Sequence, residues 1–133
     1  FDLVFIDALC SGIGKWSRSP DSKFSFSKKK LEELVSIQYN LLLKGSLMVK
    51  PGGKLAYIVC SFLYEEGLNQ IEKFKKKNNL DFSEINMANM WNDTIYLMNK
   101  APYPFNRGEN SLLLNPARYK TDGFFISMFQ RKR

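Results

Sequence analysis

The chain has 133 residues, of which 44% are hydrophobic and 25% charged, a composition typical of one globular domain with a modest core. No apolar run approaches the roughly 20 residues that a membrane-spanning helix needs. There is no histidine, which excludes Ser-His-Asp and Cys-His catalysis. Two cysteines alone cannot complete a structural zinc site, so we expect no metal. The net charge of +7 favours a polyanionic partner, and RNA, DNA and anionic membranes all fit it.

Two apolar segments are predicted as strands of a parallel sheet. The first is Phe1–Ile6 and the second is Lys54–Cys60, and such continuous apolar runs suit strands that are buried on both faces. Between them, Ser27 is placed to cap a helix that begins at about Lys28 and ends before the turn Pro51-Gly52-Gly53. A helix that connects two strands in this way predicts a crossover unit and a parallel α/β sheet.

The predicted helix has apolar residues at helical spacing on one face. These are Leu31, Leu34, Val35, Leu41 and Leu42. We expect Gly45 to weaken the helix near its end. The segment before it, Ala8–Ser27, is rich in Ser, Gly, Lys and Pro and is predicted as a long loop with room for one helical turn.

The rest of the chain predicts one more helix and short extended pieces. Glu65 and Glu66 are predicted to open the helix, because acidic side chains suit the positive N-terminal end of the helix dipole. The extended pieces are a strand at Leu80–Ile85, a short apolar piece at Leu112–Leu114 and a last strand at Gly123–Phe129, with an irregular segment over residues 86–110.

Two parallel strands and a late hairpin are few for a doubly wound sheet, which normally has several more strands. The sequence also opens directly on an apolar strand without an initial Met. We therefore expect residues 1–133 to be the C-terminal part of one catalytic domain, with the remaining strands on its N-terminal side.

Both cysteines follow a predicted strand. Cys10 lies just after Asp7, and Cys60 ends the second strand; ligands of open α/β sheets bind outside the carboxyl ends of the strands. A reactive thiol at Cys60 would need help from a helix N-terminus, from Lys or Arg, or from the substrate. By position alone, a buried core thiol is the favoured interpretation of Cys60. Two cysteines that converge beside an aspartate favour a shared pocket instead.

The motifs around these residues resemble those of the Nop/Sun family of RNA cytosine-C5 methyltransferases. Asp7-Ala8-Leu9-Cys10-Ser11-Gly12-Ile13-Gly14 looks like the family's Asp-Ala-Pro-Cys-Ser-Gly-x-Gly, and Tyr57-Ile58-Val59-Cys60-Ser61 looks like its Tyr-Ser-Thr-Cys-Ser. Further matches are Arg18–Asp21, Leu34–Leu42 with Gln38, Val49–Gly53, Glu65-Glu66, Pro116 and Thr121–Ile126. The resemblance covers nearly the whole chain and is greatest to the bacterial Sun (Fmu) branch, which methylates small-subunit ribosomal RNA.

The resemblance implies a fold and a reaction. The fold is the C-terminal portion of a Rossmann-like methyltransferase sheet, with parallel strands and a terminal antiparallel hairpin. The reaction is methylation of cytosine C5 in 16S ribosomal RNA with S-adenosyl-L-methionine as cofactor. Cys60 would be the nucleophile that adds to C6 of the base, Cys10 would assist its release, and Asp7 would lie at the cofactor and the target base. RNA is the implied partner, with no membrane and no metal, in the cytoplasm; the oligomeric state stays open.

Basic and aromatic side chains near this loop are candidates for RNA contact. We expect phosphate contacts from Lys15, Arg18 and Lys23, with further lysines at residues 28–30. A solvated helix face is the alternative for the lysine run. Trp16 and Tyr64 are placed to stack on a base or to pack internally.

Three positions depart from the family's motifs. Leu9 stands in place of Pro, Val59 in place of Thr and Gly67 in place of Asn, which puts full activity in doubt. A DNA cytosine methyltransferase is an alternative, but its Pro-Cys signature is broken by Leu9. A second alternative is a degenerate relative that holds RNA without methylating it. The Gly-rich loop that should hold the cofactor is absent from the sequence, so we expect these residues alone to be inactive and to bind cofactor weakly.

Overall fold

The two predicted strands pair in parallel at one edge of a sheet. A computed structural model describes residues 1–96, 105–107 and 110–133. In it, β1 (Leu3–Asp7) and β2 (Lys54–Val59) lie side by side, with Asp7 opposite Ile58. Helix α1 (Lys28–Met48) connects them. The predicted parallel crossover unit is therefore confirmed.

The last strand lies in the middle of the sheet. β6 (Phe124–Arg131) pairs antiparallel with β2 along one side. Along its other side it pairs antiparallel with β5 (Ser111–Leu114) and β3 (Phe82–Glu84). β4 (Phe105–Arg107) pairs with β5, so the described strands have the order β1-β2-β6-β5-β4, with β3 also beside β6. This confirms the predicted α/β class, in which parallel strands are followed by an antiparallel pair.

The remaining helices are short. They are α2 (Leu68–Asn78), α3 (Met87–Trp91), a π-helical turn (Asn92–Tyr96), α4 (Pro116–Tyr119) and two 3-10 helices (Ile13–Lys15 and Pro20–Ser25). Within the described part of the chain, no helix has the length and hydrophobicity to cross a bilayer. The prediction of an irregular segment over residues 86–110 was wrong where it can be examined, because α3, the π-helical turn and β4 lie there. Residues 97–104 and 108–109 of that segment lie outside the described residues.

Helix α1 begins as its sequence predicts and packs closely on the sheet. The Ser27 hydroxyl oxygen accepts a hydrogen bond from the Lys30 N–H at 3.2 Å. Of the apolar residues predicted on one face of α1, Leu42 is fully buried, whereas Leu41 is 40% exposed. Gly45 does not interrupt the helix. A Cβ at that position would lie 2.7 Å from Ile6 Cδ1, so the glycine allows close contact between α1 and β1.

Alternate residues of β6 face two different helical layers. Phe125 and Phe129 belong to the main core, together with residues of α1 and α2 such as Leu42 and Phe74. On the opposite face, Ile126 packs in a smaller cluster with residues of α3 and β5. This alternation follows from the two-residue period of a strand, and it places β6 between two helical layers.

The main core predicts a strong dependence of stability on Phe74. This ring is fully buried, with its centroid 4.9 Å from that of Phe129 and 5.5 Å from that of Phe82. We expect Phe74→Ala to lower the free energy of unfolding by about 3–5 kcal/mol because it leaves a cavity. Phe24 is 90% exposed, so Phe24→Ala is the matched control and should change stability by less than about 0.5 kcal/mol. Chemical denaturation measures both; equal losses would contradict the assigned core.

Candidate active site

The sheet brings Cys10 and Cys60 together although they are 50 residues apart in sequence. Both residues lie just beyond the carboxyl ends of β1 and β2, and their Sγ atoms are 3.1 Å apart. Both are free thiols; Cys60 is buried and Cys10 is half-buried. The position of Cys60 in the sequence favoured a core thiol without a polar partner, and this contact differs from that interpretation. The two cysteines converge, as their paired motifs predicted.

Two glycines shape the loop that holds Cys10. Gly12 has a φ of +71°, in the left-handed region that favours glycine. Gly14 lies between two backbones: its N–H donates to the Cys60 carbonyl at 3.0 Å and its carbonyl accepts from the Gly123 N–H at 2.9 Å. A Cβ on Gly14 would overlap the Gly123 carbonyl oxygen. The loop is therefore tied to both β2 and the start of β6.

An open cavity of about 300 Å³ lies at the carboxyl ends of the two parallel strands. Its walls include the two thiols, the Asp7 carboxylate and the Lys15 side chain. Asp7 is exposed at the end of β1. Lys15, at the end of a 3-10 helix, is exposed and lines this cavity. Its predicted contact with RNA phosphate stays a prediction. The cavity thus holds a thiol pair, one carboxylate and one ammonium group.

The neighbours of Cys60 favour its ionised form. The hydrogen bond from Cys10 lowers the pKa of Cys60, and the Lys15 ammonium lowers it further; together they outweigh burial and bring it to about 6. The same hydrogen bond and burial raise the pKa of Cys10, which therefore keeps its proton and acts as the donor. The Cys60 thiolate in turn raises the pKa of Lys15. The activating lysine expected from the sequence is thus Lys15, and the second cysteine adds to its effect.

The other predicted RNA contacts have partners within the chain. Arg18 forms a two-pronged ion pair with Asp122, which ties the loop to the segment before β6 and raises the pKa of Arg18. The Lys23 ammonium lies 5.6 Å from the centre of the Trp16 ring. Trp16 also packs edge-to-face against Phe26. Contacts of Arg18 and Lys23 with RNA remain a prediction.

The prediction that Glu66 opens a helix was wrong. Helix α2 begins at Leu68, and Glu66 precedes it as a fully buried residue that accepts hydrogen bonds from Ser11 and Gln38. An acidic pair before a helix is the ordinary signal of a helix start, and nothing in the local pattern distinguishes a buried carboxylate from an exposed one. The match of both Gln38 and Glu66 to family motifs was the available hint.

No group of three or more metal-ligating side chains is assembled among residues 1–96, 105–107 and 110–133. The polar groups at the site are the thiols, Asp7 and Lys15 in the cavity, with Glu66 behind the Cys10 loop.

Comparison with known proteins places this geometry in a family. A family model described as 16S rRNA methyltransferase RsmB/F matches residues 1–130. A probable ribosomal RNA small subunit methyltransferase B of Bacillus subtilis (strain 168) is 29% identical over 99% of this chain and 28% of its own length. A ribosomal RNA small subunit methyltransferase B of Enterobacter sp. (strain 638) is 39% identical over 58% of this chain and 18% of its own length.

Solved structures give the same assignment of fold. A methyltransferase homolog protein from Pyrococcus horikoshii is 25% identical, with a TM-score of 0.71, over 100% of this chain and 39% of its own. The fold is thus that of the Rossmann-like methyltransferases. The chain belongs to the 16S rRNA methyltransferase RsmB/F family, which confirms the resemblance to the Nop/Sun family. It spans less than two-fifths of the length of each of these relatives.

The lowered pKa of Cys60 predicts selective alkylation at neutral pH. Its reactivity with iodoacetamide should rise as the pH passes through about 6, because only the thiolate reacts, while Cys10 stays unreactive. Lys15→Met should move this transition to higher pH. Lys44, exposed on α1 and remote from the cavity walls, supplies the matched control Lys44→Met, which should not. Peptide mapping by mass spectrometry follows each thiol separately; preferential labelling of Cys10 would contradict the assignment.

Proposed function

We propose that the protein containing this chain methylates C5 of a cytosine in 16S ribosomal RNA, with S-adenosyl-L-methionine as methyl donor. The observation that carries the proposal is the thiol pair, 3.1 Å apart at the strand ends, in a chain of the 16S rRNA methyltransferase RsmB/F family. Cytosine C5 is a weak nucleophile, and addition of a thiolate to the neighbouring C6 overcomes this by covalent catalysis.

Cys60 is the proposed nucleophile. Its Sγ lone pair forms a bond to C6 of the cytosine, and the electrons of the C5=C6 double bond move to make C5 nucleophilic. When bound, S-adenosyl-L-methionine supplies the methyl group that C5 takes. After the C5 proton is lost to a base, the C5=C6 bond forms again and the electron pair of the S–C6 bond returns to Cys60 as a thiolate.

Cys10 and Lys15 are proposed to hold the negative charge of Cys60 before and after the adduct. The Cys10 thiol donates a hydrogen bond to the thiolate, and the Lys15 ammonium balances its charge. Both interactions weaken when Cys60 is bonded to carbon and strengthen when the thiolate leaves. They therefore assist release of the product, which matches the role that the resemblance implies for Cys10.

Asp7 is the proposed contact to the reacting end of the cofactor and to the target base. Its exposed carboxylate lines the same cavity as the two thiols. A carboxylate suits the positively charged sulfonium of S-adenosyl-L-methionine and the amino group of cytosine. The residues present thus fit the reacting groups of donor and base. A target base would have to leave its stack to enter the cavity.

Phosphate contact is proposed for basic residues of the Cys10 loop and of the start of α1. Arg18 and Lys23 are exposed on the loop that holds Cys10, and Lys28–Lys30 are exposed at the start of α1. Arg18 is paired with Asp122, and Lys23 lies over Trp16. Phosphate contacts of such side chains position a nucleic acid without reading its sequence. The net charge of +7 has the sign that RNA binding needs.

We propose that further strands pair with β1 in the whole catalytic domain and carry the groups that hold the cofactor's methionine and ribose. β1 is the edge of the described sheet. Its side chains Leu3 and Phe5, and Phe1 just before it, are more than half exposed. An apolar edge strand of this kind is usually paired or covered.

This division of the site predicts weak cofactor binding by the isolated residues 1–133. In isothermal titration calorimetry, S-adenosyl-L-methionine should give no saturable heat with residues 1–133, and saturable binding with the intact protein, because only the latter holds the proposed methionine and ribose contacts. Tight binding to residues 1–133 alone would refute this division of the cofactor site.

Covalent trapping tests the proposed reaction. The intact protein should form a stable adduct with RNA that contains 5-azacytosine, since the nitrogen at position 5 blocks release. Cys60→Ala should abolish the adduct. Cys10→Ala should still form it, but more slowly at pH 7 by on the order of tenfold or more, because Cys60 loses the hydrogen bond that favours its thiolate.

Other outcomes of trapping point to other functions. Trapping that survives Cys60→Ala and is lost in Cys10→Ala would overturn the nucleophile assignment. Trapping of DNA in place of RNA would favour the DNA methyltransferase alternative. Binding of RNA by the intact wild-type protein without any adduct would favour a non-catalytic RNA-binding relative.

A further inference from the structure

A buried carboxylate behind the Cys10 loop has no place in the reaction described above. Glu66 is fully buried, and in the described residues no lysine or arginine forms an ion pair with it. Burying a charge is unfavourable unless hydrogen bonds replace its hydration. Glu66 accepts three: from the Ser11 N–H at 2.7 Å, from the Ser11 hydroxyl at 2.6 Å and from Gln38 Nε2 at 3.0 Å.

These hydrogen bonds hold the chain on both sides of Cys10. Glu66 binds Ser11, which follows Cys10, and Gln38 Nε2 donates to the carbonyl of Leu9, which precedes it, at 2.9 Å. We call Glu66 and Gln38 with these contacts the Cys10 brace. Its members come from α1 and from the turn before α2, so the brace connects the loop to two packed elements.

The brace is itself held in the core. The Tyr57 hydroxyl donates to the Glu66 carbonyl at 2.7 Å, and Gln70 Nε2 donates to Gln38 Oε1 at 3.3 Å. The second contact sets the orientation of the Gln38 amide, so that its nitrogen faces Leu9 and Glu66. A network whose members are all buried and paired is rigid.

We propose that Glu66 is a positioning residue, which acts through Ser11 to hold the Cys10 thiol within hydrogen-bond distance of Cys60. The catalytic meaning of this rests on the proposed function, in which Cys60 attacks cytosine. Leu9 lacks the ring by which a proline would restrict the backbone beside Cys10. The brace supplies that restriction through hydrogen bonds, and the 3.1 Å contact between the two sulfurs depends on it.

Thiol titration of the intact protein tests the brace without RNA or cofactor. The pKa of Cys60 is measured from the pH dependence of its alkylation in wild type, Glu66→Ala, Glu66→Gln and Glu65→Ala. Glu66→Ala should raise it by about one unit or more, since Cys10 moves away. In Glu66→Gln the amide oxygen still accepts from the Ser11 N–H, so the pKa should stay near that of wild type. Glu65 is exposed beside Glu66, and Glu65→Ala should leave the pKa unchanged.

The direction of the pKa change of Cys60 in Glu66→Ala distinguishes a positioning role of Glu66 from an effect of its negative charge. Loss of a nearby negative charge alone would favour the thiolate and lower the pKa of Cys60. An unchanged or lowered pKa in folded Glu66→Ala would therefore overturn the proposal. So would equal increases in Glu66→Ala and Glu66→Gln.

A double variant tests whether Glu66 acts through Cys10. Cys10→Ala alone should raise the pKa of Cys60, and adding Glu66→Ala should raise it no further. Additive increases would contradict the brace. If Glu66→Ala does not fold, as judged by circular dichroism, Ser11→Ala is the second variant. It removes the 2.6 Å bond to Glu66 and the 3.4 Å bond that Ser11 Oγ accepts from the Ile13 N–H, keeps the Ser11 N–H bond to Glu66, and should give a smaller increase of the same sign. A protein that meets these expectations but traps no RNA would refute the proposed function and leave the brace intact.

Discussion

The contact between the Cys10 and Cys60 sulfurs, 3.1 Å apart, is the interaction on which the proposed chemistry depends. It joins two thiols of different protonation: Cys10 keeps its proton and donates it in a hydrogen bond, and Cys60 favours the thiolate, the form in which we propose that it attacks cytosine. The chain has no histidine to act as the proton acceptor that usually accompanies a nucleophilic thiol. We propose that the hydrogen bond from Cys10 takes its place by favouring the Cys60 thiolate. The Lys15 ammonium, in the same cavity, gives the thiolate its balancing charge.

The fold makes this contact by bringing two strand ends together from distant parts of the sequence. Parallel pairing of β1 with β2 puts both carboxyl ends at one edge, and Gly14 ties the intervening loop to Cys60 and to the start of β6. The antiparallel strand β6 fixes β2 from its other side. The position of each sulfur therefore depends on core packing as well as on local loop geometry. Loss of core packing would thus also disturb the thiol pair.

Local sequence patterns predicted the parallel strands, the first helix and the position of the two cysteines. The apolar runs of β1 and β2, the Ser27 cap of α1 and the two cysteine motifs indicated the sheet and the convergence of the thiols. What could not be predicted depends on contacts between distant residues. The burial of Glu66 and the entry of Lys15 into the cavity arise from packing of separate elements, and in sequence each is an ordinary polar residue near a helix.

The central claim is that Cys60 carries the covalent bond to the base. Digestion of the trapped complex between wild-type intact protein and 5-azacytosine RNA, followed by tandem mass spectrometry, locates the modified cysteine directly. We expect a nucleotide adduct on the peptide that contains Cys60 and an unmodified Cys10. An adduct on Cys10, with Cys60 free, would contradict it.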